Sequence, residues 1–440
     1  MSGYQPSIQS CQGDAVKTKL TRYFKQLSEM PFIHNFSWMM IAEVLSRVSR
    51  IITLFVLAAN FTNSEYGLAM LALIIHELFR VFARLGSGVK IIQCDDNELL
   101  DTLQNAATLQ WFVVLVIAVS QIVLADLIAY YYQQPVLADL LKFMAIAHIL
   151  YPVVTVRIFE QQRQNKLRFY GIASGCCIAF ENLFIAMYVY LEPSIFAIAY
   201  AKIAAAILWV CLFYSLPSRL ITYRCQWVIL KQAISFSSKT FISELSRTLR
   251  FQADSLFAAR LLSPELFGLY SFAKSAGLGI AQSITIAYTT TLYPYLCHQF
   301  RSNSKSQTNT FKRHAWPFSL FVCALFILQA LLAQFYVEWL FDERWEEATN
   351  LVSLLCIAAI PTLLVDHKGL IYRAQNNPFI ETKIIMICTA SLIGGIILIQ
   401  PNTVFGTGIT VVMCSVLWCI FLLFNPKKRH YPALLRAQAI

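Results

Sequence analysis

FSWMMIAEVLSRVSRIITLFVLAA, residues 36–59, is an apolar run of membrane-spanning length that carries Glu43, Arg47 and Arg50 on one helical face. The same design returns in SSKTFISELSRTLRFQADSLFAA, residues 237–259. At an offset of 200, Leu45, Ser46, Arg47 and Arg50 match Leu245, Ser246, Arg247 and Arg250, and Ala58 and Ala59 match Ala258 and Ala259. The likeness continues beyond these runs: Glu65-Tyr66-Gly67 faces Glu265-Leu266-Phe267-Gly268, and Pro152, Arg163 and Phe169 face Pro361, Arg373 and Phe379 at offsets of 209 to 210. Several identities in one order and at nearly one offset predict an internal repeat of about 200 residues.

Around these two runs the chain is apolar throughout. Its 440 residues are 58% hydrophobic and 13% charged, with a mean hydropathy of +0.58, which excludes a water-soluble globule. Apolar runs predict six spans at residues 36–59, 68–89, 106–131, 136–157, 169–191 and 193–216, and six more at 237–259, 268–293, 316–340, 348–371, 380–400 and 403–424. The expected fold is therefore an all-α integral membrane protein of about 12 transmembrane helices in two six-helix bundles, residues 36–216 and 237–424. Because six spans separate the copies, the repeat is parallel, with a pseudo-two-fold axis along the membrane normal and a site between the halves near the midplane. A segment at 1–35, a linker at 217–236 and a basic tail at 425–440 complete the division.

Threading the spans places Lys17, Lys19, Arg22, Lys25, Lys90, Arg163, Lys166, Arg168, Arg219, Arg224 and Lys231 on one side. Arg301, Lys305, Lys312, Arg313, Arg373, Lys427, Lys428, Arg429 and Arg436 join them, against only Arg260 and Arg344 opposite, so both termini are expected in the cytoplasm. The net charge of +11 is then a topology signal that calls for no nucleic-acid partner. Val16, Leu20, Phe24 and Leu27, with lysines and an arginine between them, predict an amphipathic helix in the membrane interface; a disordered basic tail is the competing reading.

Thirteen charges lie too deep in the spans to reach water. Eight are cations (Arg47, Arg50, Arg80, Arg84, Lys202, Arg247, Arg250 and Lys274) and five are anions (Glu43, Glu77, Glu181, Glu244 and Asp254). Each costs about 2.5 to 3.5 kcal/mol at a helix centre facing lipid, so they must face one another or a wet cavity. Pairing of Glu43 with Arg47, Glu77 with Arg80, Glu244 with Arg247 and Arg250 with Asp254 is the conservative reading, but it leaves an excess near +3. That excess suits an anion, and guanidinium forks suit phosphate. His76, Glu181 and Asp254 are open both to ion coupling and to plain hydrogen bonding within the bundle. Asp366, His367 and Lys368 read as headgroup-solvated residues at a span end.

There is no GxxxxGK[ST] loop, GxGxxG, HExxH or Cys/His cluster at metal spacing, so neither a metal nor another cofactor is expected. Most of the twelve cysteines sit in apolar runs without CxxC pairing and read as small core hydrophobes. Short loops leave little room for an active site, which makes an enzyme the weaker class and leaves catalytic residues unassigned.

Two parallel six-span halves resemble the MOP superfamily of flippases and multidrug exporters. Asn63-Ser64-Glu65-Tyr66-Gly67, Leu262-Ser263-Pro264-Glu265-Leu266-Phe267-Gly268-Leu269-Tyr270 and Phe341-Asp342-Glu343-Arg344-Trp345-Glu346-Glu347-Ala348 are similar to loops of its polysaccharide transporter branch, the Wzx-type O-antigen and exopolysaccharide flippases. The resemblance implies a secondary transporter in the bacterial inner membrane. It would move an undecaprenyl-diphosphate-linked oligosaccharide from the cytoplasmic to the periplasmic leaflet for surface polysaccharide, including lipopolysaccharide, biosynthesis. It carries a cationic lumen onto Arg47, Arg50, Arg80, Arg247, Arg250 and Lys274, with Glu43, His76, Glu77, Glu181, Glu244 and Asp254 as ion-coupling or lumen-pairing candidates. The implied partners are the polyprenyl-linked oligosaccharide, membrane lipids, and the polymerase and chain-length proteins of the same pathway. A cation exporter of the same superfamily and a membrane glycosyltransferase or polymerase are the alternatives. The two extra helices of the lipid II flippase branch are absent.

Overall fold

The computed structural model describes residues 31–83, 91, 96–164, 167–216, 223–279, 281–282, 285–286, 288–289, 292, 296, 307–375 and 378–424. The described residues are helical with short connections. In chain order the helices are α1 (Pro31–Asn60), α2 (Asn63–Phe82), α3 (Leu99–Tyr132), α4 (Val136–Leu150), α5 (Pro152–Arg163), α6 (Leu167–Leu191) and α7 (Ala197–Tyr214). They continue with α8 (Trp227–Leu261), α9 (Pro264–Lys274), α10 (Gln307–Leu340), α11 (Thr349–Ala374), α12 (Pro378–Ile399) and α13 (Val404–Phe424). A π turn, Ser275–Gly279, follows α9, and a 3-10 turn, Glu343–Ala348, precedes α11. The predicted amphipathic helix at residues 16–27, Arg84, Lys90 and the basic tail lie outside the described residues.

Among the described residues, seven helices are long and apolar enough to cross a membrane: α3, α6, α7, α10, α11, α12 and α13. The pair α4 and α5, bent by 48°, makes an eighth if counted as one span. This is a multi-pass membrane protein. These eight correspond to the predicted third to sixth and ninth to twelfth spans. The first and seventh predicted spans fall on α1 and α8, and the starts of the second and eighth on α2 and α9, where charge replaces part of the apolar surface; the ends of the second and eighth lie partly outside the described residues. The bend has a local cause: Pro152 has no N–H to continue the ladder and its ring opposes a carbonyl one turn back, so the helix restarts with Pro152 as its first residue. Pro361, its match in the sequence, sits inside an unbroken α11. Its neighbour Thr362 donates to the Ala358 and Ala359 carbonyls at 3.2 and 2.7 Å. Helix α8 begins at Trp227, well ahead of the expected residue 237.

The chain forms two compact units. The first comprises residues 1–56, 82–125 and 139–239. Here Ala42, Ser46, Ser49 and Thr53 form a buried strip on α1 that packs on α6. Gly175 makes the approach possible, since a Cβ there would sit 2.7 Å from the Ala42 Cα. Small residues at such contacts bring backbones close enough for dispersion and hydrogen bonds, which drive helix association where no water is expelled. Accordingly Asn182 donates to Ser49 Oγ at 3.0 Å, and Thr53 donates to the Asn182 carbonyl at 2.7 Å. Gln121 on α3 donates to the Leu141 carbonyl on α4 at 2.7 Å and bonds His148 at 2.9 Å. Phe213, Trp209 and Tyr170 fill the space among α5, α6 and α7.

The second unit comprises residues 57–81, 126–138 and 240–440. Its apolar centre includes Tyr288, Leu292, Phe326 and Leu363. The three loop motifs singled out in the sequence meet in it. Thr62 and Glu65 start α2 with a reciprocal cap: the Thr62 N–H donates to the Glu65 carboxylate at 2.9 Å, and the Glu65 N–H reaches Thr62 Oγ1 at 3.3 Å. Ser263 caps α9 by accepting from the Leu266 N–H at 3.3 Å, with Pro264 in the first turn. A Cβ on Gly67 would lie 2.9 Å from the Gly268 nitrogen, and one on Gly268 would overlap the Asn63 carbonyl. Trp345, fully buried, donates from Nε1 to the Ala58 carbonyl at 2.9 Å and stacks on Phe272 at 4.3 Å, with Tyr66 edge-on at 5.3 Å. Arg344 donates to the Phe61 and Ala59 carbonyls at 3.2 and 3.0 Å. The last turn of α1 leaves carbonyls without intrahelical donors, and Trp345 and Arg344 supply them.

Candidate functional site

In the first unit, α1 carries three stripes. The strip of Ala42, Ser46, Ser49 and Thr53 is buried, while Ile41, Val44, Leu45, Val48 and Ile52 are exposed. At about 100° per residue, Glu43, Arg47 and Arg50 fall between these two, on a separate polar stripe. Arg47 pairs with Glu43. Arg50 is exposed and has no ion-pair partner among the described residues. Deeper in the unit, Glu181 on α6 and Lys202 on α7 pair at 2.6 Å, both largely covered.

In the second unit, the matching stripe on α8 is drawn into a network with α11 and α12. Arg247 bonds Glu381 at 3.1 Å and lies 3.6 Å from Glu244. Arg373 grips both oxygens of the same Glu381 carboxylate, with Nε at 2.8 Å. Gly369 leaves room for this approach, since a Cβ there would come within 3.1 Å of Glu381 Cγ. Arg250 pairs with Asp366 at 2.7 Å. Three of the four local pairs read from the sequence form, and the fourth does not: Arg250 turns to Asp366, and Asp254 to Lys274. The physical reason is that packing between helices brings Asp366 to Arg250 and Lys274 to Asp254, each at 2.7 Å, so both members of the expected pair are already taken. Asp366, expected at a solvated span end, Arg373, read only as a charge on the cytoplasmic side, and Glu381, which no local spacing points to, are the members that sequence reasoning missed. An acidic residue one turn into α12, opposite the last turn of α11, is the only signal for Glu381.

Lys274, the last residue of α9, is buried with Asp254, Ser255 and Tyr270. Glu77 and Arg80 on α2 form a two-pronged pair at 2.7 Å, partly exposed. His76 on α2 is buried. Tyr288 bonds Ser319 at 2.8 Å and His367 on α11. The structure thus gathers Glu244, Arg247 and Arg250 with Asp366, Arg373 and Glu381. Asp254 and Lys274 form a separate group, and the Glu43–Arg47–Arg50 stripe belongs to the other unit.

The family model described as polysaccharide biosynthesis protein matches residues 56–350. No curated protein matches the chain. Among solved structures, an inward-facing multidrug resistance MATE family transporter of the MOP superfamily is similar with a TM-score of 0.69 at 11% identity, covering 85% of this chain and 92% of that one. The lipid II flippase MurJ in an inward closed conformation is similar with a TM-score of 0.65 at 14% identity, covering 88% and 86%. A MOP superfamily transporter from Pyrococcus furiosus, described by the reverse polarity of its binding pocket, gives 0.54 at 11% identity over 89% and 93%. At these identities the likeness establishes the fold: that of the MOP superfamily.

Proposed function

The chain belongs to the polysaccharide biosynthesis protein family and has the MOP-superfamily fold, and from that premise we propose that it is a flippase for polyprenyl-diphosphate-linked oligosaccharides. In this reading it sits in a bacterial inner membrane with both termini cytoplasmic. It turns undecaprenyl-linked repeat units toward the periplasm for a surface polysaccharide, and does so as a carrier without covalent catalysis. The family match over residues 56–350 is the observation that carries the proposal.

The charges support it. A MOP carrier works by differential binding in two states, so the site must hold the diphosphate without trapping it. Arg50 suits that role, because it lies about 15 Å from the C-terminal end of α1, too deep to reach headgroups comfortably, and it is committed to no carboxylate among the described residues. An arginine facing lipid there would cost about 2.5 to 3.5 kcal/mol, so its stripe faces a wet cavity. Arg47 and Arg247 retain exposed area beside their carboxylates and can exchange them for phosphate oxygens. A diphosphate of about two negative charges moving out of an inside-negative membrane gains roughly 4 to 5 kcal/mol at 100 mV, which is enough to bias export.

The test is translocation of a labelled prenyl-diphosphate oligosaccharide in proteoliposomes under an imposed potential. Wild type is compared with Arg50→Ala and Arg247→Ala. Potential-driven flipping that is lost in Arg50→Ala despite normal insertion supports the reading. Absence of flipping by the wild type, together with efflux of organic cations, replaces it with a cation exporter.

A further inference from the structure

Lys274 is held on every side by protein acceptors. Its ammonium donates to Asp254 Oδ1 at 2.7 Å, to Ser255 Oγ at 2.9 Å and to the Phe251 carbonyl. These are three acceptors for three N–H donors, so the group is saturated. The Phe251 ring lies 4.7 Å from Nζ and closes another side. Tyr270, fully buried, donates to the second oxygen of Asp254. The side chains of Lys274 and Asp254 are only 9% and 4% exposed.

The acceptors come from one turn of α8, residues 251–255, and the ammonium comes from the end of α9. The chain then widens into the π turn Ser275–Gly279. Carbonyls freed there are taken up from α10: Gln329 donates to the Ala276 and Gly277 carbonyls at 3.3 and 3.1 Å, and Tyr336 to Ala276 at 3.3 Å. Wide turns of this kind interrupt the regular ladder and are enriched at functional positions of helices. A carboxylate, a backbone carbonyl and a hydroxyl around one positive centre are hard oxygen donors of the kind that hold cations, and one carboxylate balances one positive charge.

We infer that the oxygen cage of Asp254, Ser255 and Phe251 is a monovalent-cation site whose occupant is tethered: Lys274 supplies, through its own backbone, the positive charge that an exchangeable ion would bring. The site neither releases nor takes up an ion in the wild-type chain. Removal of the tether opens it to a free cation. The cage stands on its own geometry, whichever substrate the protein carries.

The experiment is a melting assay on the purified full chain in detergent. Lys274→Ala removes three carbons and the nitrogen, the atoms of propylammonium. The variant melts lower than wild type and recovers saturably with propylammonium chloride, but not with propanol or choline chloride. Lys274→Met keeps an unbranched stem as long as the lysine's four carbons, with sulfur in place of Cδ, and leaves room for the head group alone, so ammonium or Na⁺ raises its melting point. Adding Asp254→Asn to either variant abolishes the cation response. Wild type melts alike in sodium and choline chloride at equal ionic strength. The inference is overturned if neither variant, once folded, responds to any of these cations. It is also overturned if wild type shows a saturable Na⁺ shift that Asp254→Asn removes. Should neither variant fold, that wild-type comparison decides alone. Because melting is the readout, a failed flipping assay does not bear on this result.

Discussion

Replacing Glu381 by glutamine tests the network of the second unit most directly. The carboxylate is only 7% exposed and accepts two bonds from Arg373 and one from Arg247. Breaking a fully buried pair costs about 3–5 kcal/mol, because the partner charge is stranded. Here both arginines are about a third exposed, at 29% and 33%, and recover part of their hydration when released. That lowers the expected loss to about 2–3 kcal/mol. For a unit of this size such a loss lowers the melting temperature by roughly 4–12 °C. Thermal unfolding in detergent, followed by intrinsic fluorescence, reads it. The companion measurement is a double-mutant cycle with Arg373→Met, where a coupling of about 1–3 kcal/mol is expected because the two side chains share one contact. A melting shift of Glu381→Gln under about 1 °C, or a cycle that closes additively, would refute the argument that this carboxylate anchors both guanidinium groups.

Gly268→Ala drives a methyl into the Asn63 carbonyl and is expected to lower the melting temperature by several degrees, more than Gly67→Ala, whose Cβ meets Gly268 at 2.9 Å; parallel thermal scans rank them. Trp345→Phe keeps most of the packing but removes the donor to the Ala58 carbonyl, a loss of about 1–2 kcal/mol that chemical denaturation in mixed micelles measures. Arg50→Ala touches no partner among the described residues and is expected to leave melting unchanged to within about 0.5 kcal/mol while abolishing potential-driven translocation.

What the sequence revealed and what it hid follow one physical divide. Features that depend on neighbours along one helix were legible. The Glu43–Arg47, Glu77–Arg80 and Glu244–Arg247 pairs follow from i,i+3 and i,i+4 spacing, and apolar length picks out eight of the twelve predicted spans when the bent pair is counted as one. The acid–aromatic–glycine loop pattern was legible as a likeness, and its physical content is now visible. Glu65 caps, Tyr66 wedges against Trp345, and Gly67 and Gly268 let two helix starts touch. Features set by packing between distant helices were hidden. Arg247 and Glu381 are 134 residues apart, and nothing in either local pattern announces the other. Asp366 looked solvated because span ends usually are, whereas the structure spends it on Arg250. Equal sequence position did not imply equal geometry either: Pro152 bends its span by 48° at a helix start, while Pro361 leaves α11 continuous.

The corrected pairing changes where the uncommitted charge of the proposed carrier resides. Asp366 and Glu381 join the anions, but Lys368, Arg373 and Lys383 join the cations, so the positive excess read from the sequence is not reduced. Its distribution is not preserved. On α8, Arg250 has its carboxylate and Arg247 shares two, and Lys274 is consumed by Asp254. On α1, Glu43 serves Arg47, and Arg50 has no ion-pair partner among the described residues. Two stripes whose arginines match in the sequence therefore differ in what they offer an anion: α1 presents a guanidinium with no ion-pair partner among the described residues, and α8 presents guanidiniums already bridged to carboxylates. On the proposed function, an incoming diphosphate would meet no bound carboxylate at Arg50 among the described residues, but would have to displace Glu381 or Asp366 to engage α8. Such displacement weakens binding while making it depend on how α11 and α12 lie against α8, which is the differential affinity between two states that a carrier requires.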